Sequence, residues 1–88
     1  MTLTTDNFKF ELLKRFREAE AMAMPFIDVR AGDMHRDMGD YPDPALHRMP
    51  SCCEVMYAEQ SEGDSILSRP ANGKGASLTI RYLLPRSR

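Results

Sequence analysis

The chain has no tryptophan, only two cysteines among its 88 residues, and no long apolar run. The cysteines, Cys52 and Cys53, are adjacent, and a disulfide between neighbouring residues requires a strained geometry, so no disulfide framework is expected. No stretch approaches the ~18 apolar residues that a membrane span needs. The start of the chain also lacks the pattern of a secretory signal, so the sequence predicts a reduced, cytoplasmic protein.

A large net charge of either sign is missing as well, because 12 basic and 13 acidic residues leave a balance of only −1. A strong nucleic-acid binder often carries a global basic excess, so binding to a polyanion would depend on a local patch here. The length predicts one small domain over residues 1–88 with a single core. Residues 1–5 and 86–88 are expected to be frayed ends.

The basic residues are nevertheless unevenly distributed along the chain. From residue 65 onward there is no acidic residue and there are five cations: Arg69, Lys74, Arg81, Arg86 and Arg88. Residues 1–64 hold the remaining 7 of the 12 basic residues and all 13 acidic ones, a net charge of −6. An acidic body is therefore followed by a basic C-terminal segment.

This basic segment predicts a β-hairpin. Residues 77–84 alternate with the period of a half-buried strand: Leu78, Ile80, Tyr82 and Leu84 on one face, Thr79, Arg81 and Leu83 on the other. A shorter run, Ser65–Ser68, precedes it. Between the runs, Asn72-Gly73 can adopt the positive φ angles that a tight turn requires. Residues 72–75 lack the spacing and the following helix of a phosphate-binding loop.

The first 64 residues predict three helices and one short strand. A first helix begins at Thr5 or Asp6 and ends near Ala21, with its charged residues on a solvated face. Residues 26–29 form a short strand at the edge of the hairpin, and residues 31–38 form a second helix that stops at Gly39. Residues 40–48 are a loop, because each proline there restricts itself and its predecessor.

A third helix is expected from Pro50 to about Gln60. Its inward face is predicted to hold Met49, Cys53, Met56, Tyr57 and Gln60, and its outward face Ser51, Glu54, Val55 and Ala58. Combining these stripes with the strand pattern gives the residues expected to be mostly buried: Phe8, Leu12, Phe16, Met34, Met38, Cys53, Met56, Ile66, Leu78, Ile80 and Tyr82.

The order of elements resembles that of a winged helix-turn-helix protein, which implies an α+β fold of three helices, a short strand and a C-terminal antiparallel hairpin. A second resemblance is local. Residues 29–36 (VRAGDMHR), followed by His47-Arg-Met-Pro50 and Cys53, are similar to a pattern in small stand-alone bacterial proteins of unassigned function, which tend to be encoded in mobile or defence-associated DNA. This resemblance implies a winged-helix-like module and supplies neither catalytic residues nor a ligand.

The leading functional hypothesis is a small DNA-binding winged-helix protein that binds largely through a basic wing, with regulation as its candidate role. Arg69, Lys74 and Arg81 are its candidate phosphate contacts. His47 and Arg48, just before the third helix, are its candidate base contacts. Glu54 and Glu59 oppose this hypothesis because they repel phosphate. The Arg, Lys, Asn and Gln side chains that normally read bases are also scarce on the third helix, which indicates binding that is weak, shape-based or multiplied by a dimer.

The alternative is a protein-interaction module, or a mobile-element or anti-defence accessory protein, that does not bind nucleic acid. A metal site is not expected, although His35, His47, Cys52 and Cys53 are ligand types, because adjacent cysteines on a helix point about 100° apart. No nucleophile elbow accompanies the possible triad of Asp33, His35 and Ser51, so the sequence does not predict an enzyme. No cofactor is predicted either.

Overall fold

The computed structural model describes residues 5–38, 49–71 and 73–86, which form an α+β domain of three helices and a three-stranded antiparallel sheet. The elements follow one another in the predicted order, and the predicted ends of the helices agree with the observed ones to within about two residues. They are α1 (Thr5–Ala21), β1 (Phe26–Arg30), α2 (Ala31–Asp37), α3 (Met49–Ala58), β2 (Ser65–Ser68) and β3 (Thr79–Leu83).

The sheet has the strand order β1–β3–β2, so that β3 lies at its centre. β1 pairs antiparallel with β3 from Phe26, opposite Leu83, to Arg30, opposite Thr79. This confirms the predicted short strand at the edge of the sheet. β2 pairs with the other side of β3, with a register shift after Ile66. Residues 69–78 join the two strands, whereas the predicted runs leave only residues 69–76 between them, because β3 begins at Thr79. Gly73 has a φ of +83°, and Asn72 lies outside the described residues.

The core forms where the inner face of the sheet meets the three helices. Along β3 and the residue before it, Leu78, Ile80 and Tyr82 are fully buried, whereas the alternate side chains point away from the core. Tyr82 packs against Phe16 with ring centroids 4.8 Å apart, and its hydroxyl donates a hydrogen bond of 2.7 Å to the Met56 carbonyl. That partner is needed because a buried hydroxyl without one is costly.

The predicted core residues are confirmed with two exceptions. Met38 and Ile66 are only partly buried and pack against the edge of the core. The predicted faces of α3 are also wrong in two positions, because Val55 is buried and Gln60 is exposed beyond the end of the helix. α3 packs against both α1 and α2, so the buried sector of this helix includes Cys52 and Val55. The exposed stripe that remains is Pro50, Glu54 and Ala58.

The end of α1 is closed by a Schellman motif whose left-handed residue is an alanine. Ala23 has a φ of +58°. Its N–H donates to the Glu20 carbonyl at 2.9 Å, and the N–H of Met24 donates to the Ala19 carbonyl at 3.1 Å. Glycine usually occupies this position because a side chain in the left-handed region is strained.

Replacing Ala23 with glycine is therefore expected to stabilise the protein by about 1 kcal/mol, since the strain is relieved and both hydrogen bonds remain. Urea denaturation would measure the change. Ala21→Gly is the matched control: it places glycine at the last residue of the same helix, where the backbone is right-handed and glycine should destabilise by up to about 1 kcal/mol. Equal losses of stability in both variants would contradict the assignment of strain to Ala23.

Candidate interaction surfaces

Residues 73–78 of the loop between β2 and β3 fold back onto α2 and α3. At the start of α2, the N–H groups of Ala31 and Gly32 donate to the carbonyls of Leu78 and Ala76 at 2.8 and 2.9 Å. On α3, the Cys53 thiol donates to the Gly75 carbonyl at 3.4 Å, and the Tyr57 hydroxyl donates to the Gly73 carbonyl. The loop is thereby fixed against both helices.

Gly32 permits this close approach. A Cβ atom on Gly32 would lie 2.9 Å from the Cβ of Ala76 and 3.0 Å from its carbonyl oxygen. Both distances are shorter than an ordinary van der Waals contact, so any larger residue at position 32 would displace the loop. Within the segment 29–36, this glycine has a packing role.

Two of the candidate phosphate contacts, Arg69 and Lys74, lie on this loop beside α3. The Lys74 ammonium donates to Glu54 at 2.9 Å, and this hydrogen bond raises the pKa of Lys74. The Arg69 guanidinium lies 6.0 Å from the centre of the Tyr57 ring, and Arg69 joins no ion pair within the described residues. We call Glu54, Tyr57, Arg69 and Lys74 the loop–α3 surface.

The third candidate, Arg81, lies on the opposite, outer face of the sheet. It alternates with the buried Ile80 and Tyr82, so its side chain points away from the helices. Its Nε and Nη2 donate to the two carboxylate oxygens of Asp28 at 2.8 and 3.1 Å, and the hydrogen bonds from Arg81 lower the pKa of Asp28. The guanidinium also lies 4.1 Å from the centre of the Phe26 ring.

The structure therefore brings Arg69 and Lys74 together but leaves Arg81 on another face. The two candidate base contacts, His47 and Arg48, lie outside the described residues. The loop that would form the wing lies beside the exposed stripe of α3. Their common surface also contains Glu54, which is expected from the sequence to repel a phosphate.

Arg86 was expected in a frayed terminus but is one of the most enclosed charged residues. Its side chain is 8% exposed, and that of its partner Asp64 is 0% exposed. Arg86 Nη1 donates to both carboxylate oxygens of Asp64 at 2.9 and 2.8 Å. Nη2 donates to the Glu59 carbonyl at 2.6 Å and to the Ser61 hydroxyl at 3.0 Å.

Further contacts tie Arg86 to α1 and to the sheet. Its backbone N–H donates to the Glu20 carboxylate at 2.8 Å. The guanidinium lies 4.9 Å from the centre of the Phe16 ring and 5.2 Å from that of Tyr82. Arg86 is thus a structural residue and cannot serve as a free cation. Residues 87 and 88 lie outside the described part of the chain.

The sequence predicts an ordinary solvated surface for the outward face of α1, but this face carries an ordered row of exposed side chains. Phe10, Lys14, Glu18 and Met22 follow one another at intervals of four residues, from within α1 to just past its end. Phe10 is 67% exposed and Met22 is 74% exposed. We call these four residues the α1 ridge. The available signal was the position of an aromatic residue among the charges of the outward face.

The cysteines and the histidine that the structure describes are buried. Burial raises the pKa of the Cys52 thiol to about 12 and also raises that of Cys53, so neither thiol is activated. His35 is buried with its ring centroid 5.1 Å from that of Phe8. Residues 5–38, 49–71 and 73–86 contain no cluster of three side chains able to hold a metal ion.

Comparison of the chain with protein-family models, curated proteins and solved structures gave no match. The described helices include none with both the length and the apolar character that a membrane crossing needs. The geometry of the domain is therefore the basis for a functional proposal.

Proposed function

We propose that this protein is a small protein-interaction module with a winged-helix arrangement. The order α1–β1–α2–α3–β2–β3, with β1 added to the edge of β3, supports that arrangement. In it, β2 and β3 correspond to the hairpin, and residues 69–78 correspond to the wing. This wing lies on α3 and closes over part of the helix that would otherwise enter a DNA groove.

The main support for a protein partner is that the basic segment already has anionic partners within the chain. Lys74 is paired with Glu54, Arg81 with Asp28 and Arg86 with Asp64. A phosphate backbone would have to compete with these carboxylates, which would then remain beside the DNA and repel it. Three of the five cations of the basic segment are thus neutralised by carboxylates of the described residues.

The loop–α3 surface is the part of this region that best fits a partner protein. Tyrosine and arginine are enriched at protein interfaces, and here Tyr57 and Arg69 lie next to each other. Arg69 is exposed and joins no ion pair in the part of the chain that the structure describes. We therefore propose a partner that presents a carboxylate to Arg69, with the Lys74–Glu54 pair at the rim of the contact.

DNA binding is the second candidate, favoured by cations that join no ion pair among the described residues. They are Arg69 on the loop and Lys9, Lys14 and Arg17, which are exposed on α1. In this alternative, Arg69, Lys74 and Arg81 contact phosphates, and His47 and Arg48 approach bases. The mobile-element or anti-defence role rests on the resemblance of residues 29–36 and is compatible with either candidate.

A titration with random-sequence duplex DNA at low salt separates the two candidates. We expect no binding at tens of micromolar protein, a range in which nonspecific DNA binders are normally detected. Fluorescence anisotropy of a labelled duplex measures it. Binding with a log–log salt slope of roughly −3 to −4, flattened by about one unit in Lys74→Ala, would instead support DNA binding.

The protein partner is tested by cross-linking in a lysate of the source organism. Partners retained by the wild type should be lost with Arg69→Glu, because the new carboxylate repels the one it is meant to bind. Lys9→Glu makes the same charge change on α1 and should retain them. Loss of the same partners in both variants would show a general effect of charge and would contradict the assignment to the loop–α3 surface.

A further inference from the structure

The α1 ridge has an order of side chains that complements itself when it is reversed. From Phe10 to Met22 it runs apolar, basic, acidic, apolar. Phe10 and Met22 are the two most exposed large apolar side chains among the described residues. Lys14 and Glu18 are both exposed, and neither joins an ion pair in the described parts of the chain.

We infer that the α1 ridge is an antiparallel interface between two copies of this chain. Placed against a second copy running in the opposite direction, Phe10 lies opposite the partner's Met22, and Lys14 lies opposite the partner's Glu18. A two-fold axis repeats both contacts, because in an isologous interface residue i contacts residue j and j contacts i. One ridge thus supplies two apolar contacts and two ion pairs.

Helix geometry allows such a contact. Rows of residues four apart are inclined to the helix axis, and two such rows become aligned when the helices cross at about −50°, the commonest packing class in globular proteins. Methionine adapts to the ring of an aromatic partner, and its sulfur makes favourable contacts with the ring edge. The two long charged side chains at the centre can reach each other without close approach of the backbones.

A groove beside Met22 provides the space for the incoming aromatic ring. It has a volume of about 300 Å³ and lies between α1 and the start of β1, with Ala19, Met22, Met24 and Ile27 as its apolar lining. Its polar wall consists of Glu11, Arg15 and Glu18. Arg15 donates to Glu11 at 2.9 Å and to Asp37 at 3.1 Å, and Glu18 is the residue that the partner's Lys14 pairs with in this arrangement. Phe10 of a second copy can therefore enter the groove without leaving an unpaired charge.

The alternation of charge argues for a second copy over a polyanion. Glu18 lies within the ridge and would repel a phosphate backbone or an anionic lipid surface, and the exposure of Phe10 and Met22 would remain unexplained. A different partner protein would need the same four residue types in the same reversed order. The ridge lies on another helix from the loop–α3 surface, so this inference is independent of the proposed function.

Sedimentation velocity of the full chain at about 10 to 500 µM tests the inference, a range suited to a dissociation constant in the micromolar region. We expect a reversible monomer–dimer equilibrium. Phe10→Ala, which removes an exposed side chain and leaves the core intact, should weaken dimerisation about tenfold or more, as loss of an aromatic side chain that carries much of an interface's binding energy does. Lys9→Glu, on α1 but outside the ridge, is the matched control and should leave the dissociation constant unchanged.

Charge exchange provides the sharper test. Lys14→Glu and Glu18→Lys each place like charges opposite one another in a homodimer, so each should weaken self-association about tenfold. A mixture of these two variants restores both ion pairs and should form the heterodimer in preference to either homodimer. The double variant should dimerise like the wild type. Circular dichroism confirms that each variant is folded before it is compared.

Three results would overturn the inference. The first is a monomer at every concentration in the range. The second is a dimer whose dissociation constant does not change with Phe10→Ala. The third is a mixture of Lys14→Glu and Glu18→Lys without preferential pairing. None of these outcomes affects the DNA titration or the cross-linking experiment, so the two proposals fail separately.

Discussion

Replacing Arg86 with alanine should destabilise the protein by about 3–5 kcal/mol, the cost of removing one partner of a buried ion pair. Asp64, whose side chain is 0% exposed, would remain charged and enclosed without its cation. The variant also loses the hydrogen bonds to the Glu59 carbonyl and the Ser61 hydroxyl and the cover over Phe16. Small domains have a total stability of about 5 kcal/mol or somewhat more, so this variant should retain only about 0–2 kcal/mol and be partly unfolded at 37 °C.

Urea denaturation followed by circular dichroism measures this loss. Arg81→Ala is the matched control, because Arg81 makes a similar two-oxygen contact with Asp28 on the exposed face of the sheet. Exposed ion pairs contribute little, so this control should keep a midpoint close to that of the wild type. Equal losses in the two variants would show that the enclosure of Arg86 is not important.

The pH dependence of stability isolates the charge of Asp64 from the packing of Arg86. Burial by itself raises the pKa of Asp64, but the N–H groups of Leu83 and Ser61 and the Arg86 guanidinium outweigh it, and the pKa is lowered below its usual value. Because this pKa is lowered in the folded state, the ionised Asp64 carboxylate contributes its full stabilisation above the unfolded pKa of about 3.9. That stabilisation is lost as the pH falls through the folded pKa. Asp64→Asn should therefore show a flatter acid limb than the wild type. An identical acid limb would contradict this role for the carboxylate.

The elements of the fold could be predicted because their signals are local. The alternation in β3 places Ile80 and Tyr82 inward whatever surrounds the strand, and the apolar stripe of α1 gives the buried positions of Phe8, Leu12 and Phe16. The inward face of α3 was predicted less well. Val55 is buried because α1 and α2 lie on both sides of this helix, and the number of neighbours is a property of the tertiary fold that periodicity does not contain.

The candidate site could be predicted only in part because charge pairing is not local. Asp28 and Arg81 are 53 residues apart, and Glu54 and Lys74 are 20 apart. The sequence therefore shows the basic segment without the carboxylates that neutralise it. The same limit applies to Arg86, whose partners come from α1, the end of α3 and the residues before β2. Nothing in the sequence near the C-terminus indicates that these distant residues enclose Arg86.

Two of the three phenylalanines of α1, Phe10 and Phe16, provide the last test, because the same substitution should have very different effects at the two positions. Phe16→Ala removes a ring that is 0% exposed and packs against both Tyr82 and the Arg86 guanidinium, and should cost roughly 3–5 kcal/mol. Phe10→Ala removes a ring that is 67% exposed and should leave the stability of the monomer within about 0.5 kcal/mol of the wild type. Thermal and urea denaturation of both variants, at a protein concentration below the range in which dimers form, make the comparison. A small loss for Phe16→Ala would contradict the core described above. A large loss for Phe10→Ala would show that Phe10 supports the fold of the monomer, and the α1 ridge could then no longer be treated as a surface kept exposed for a second copy.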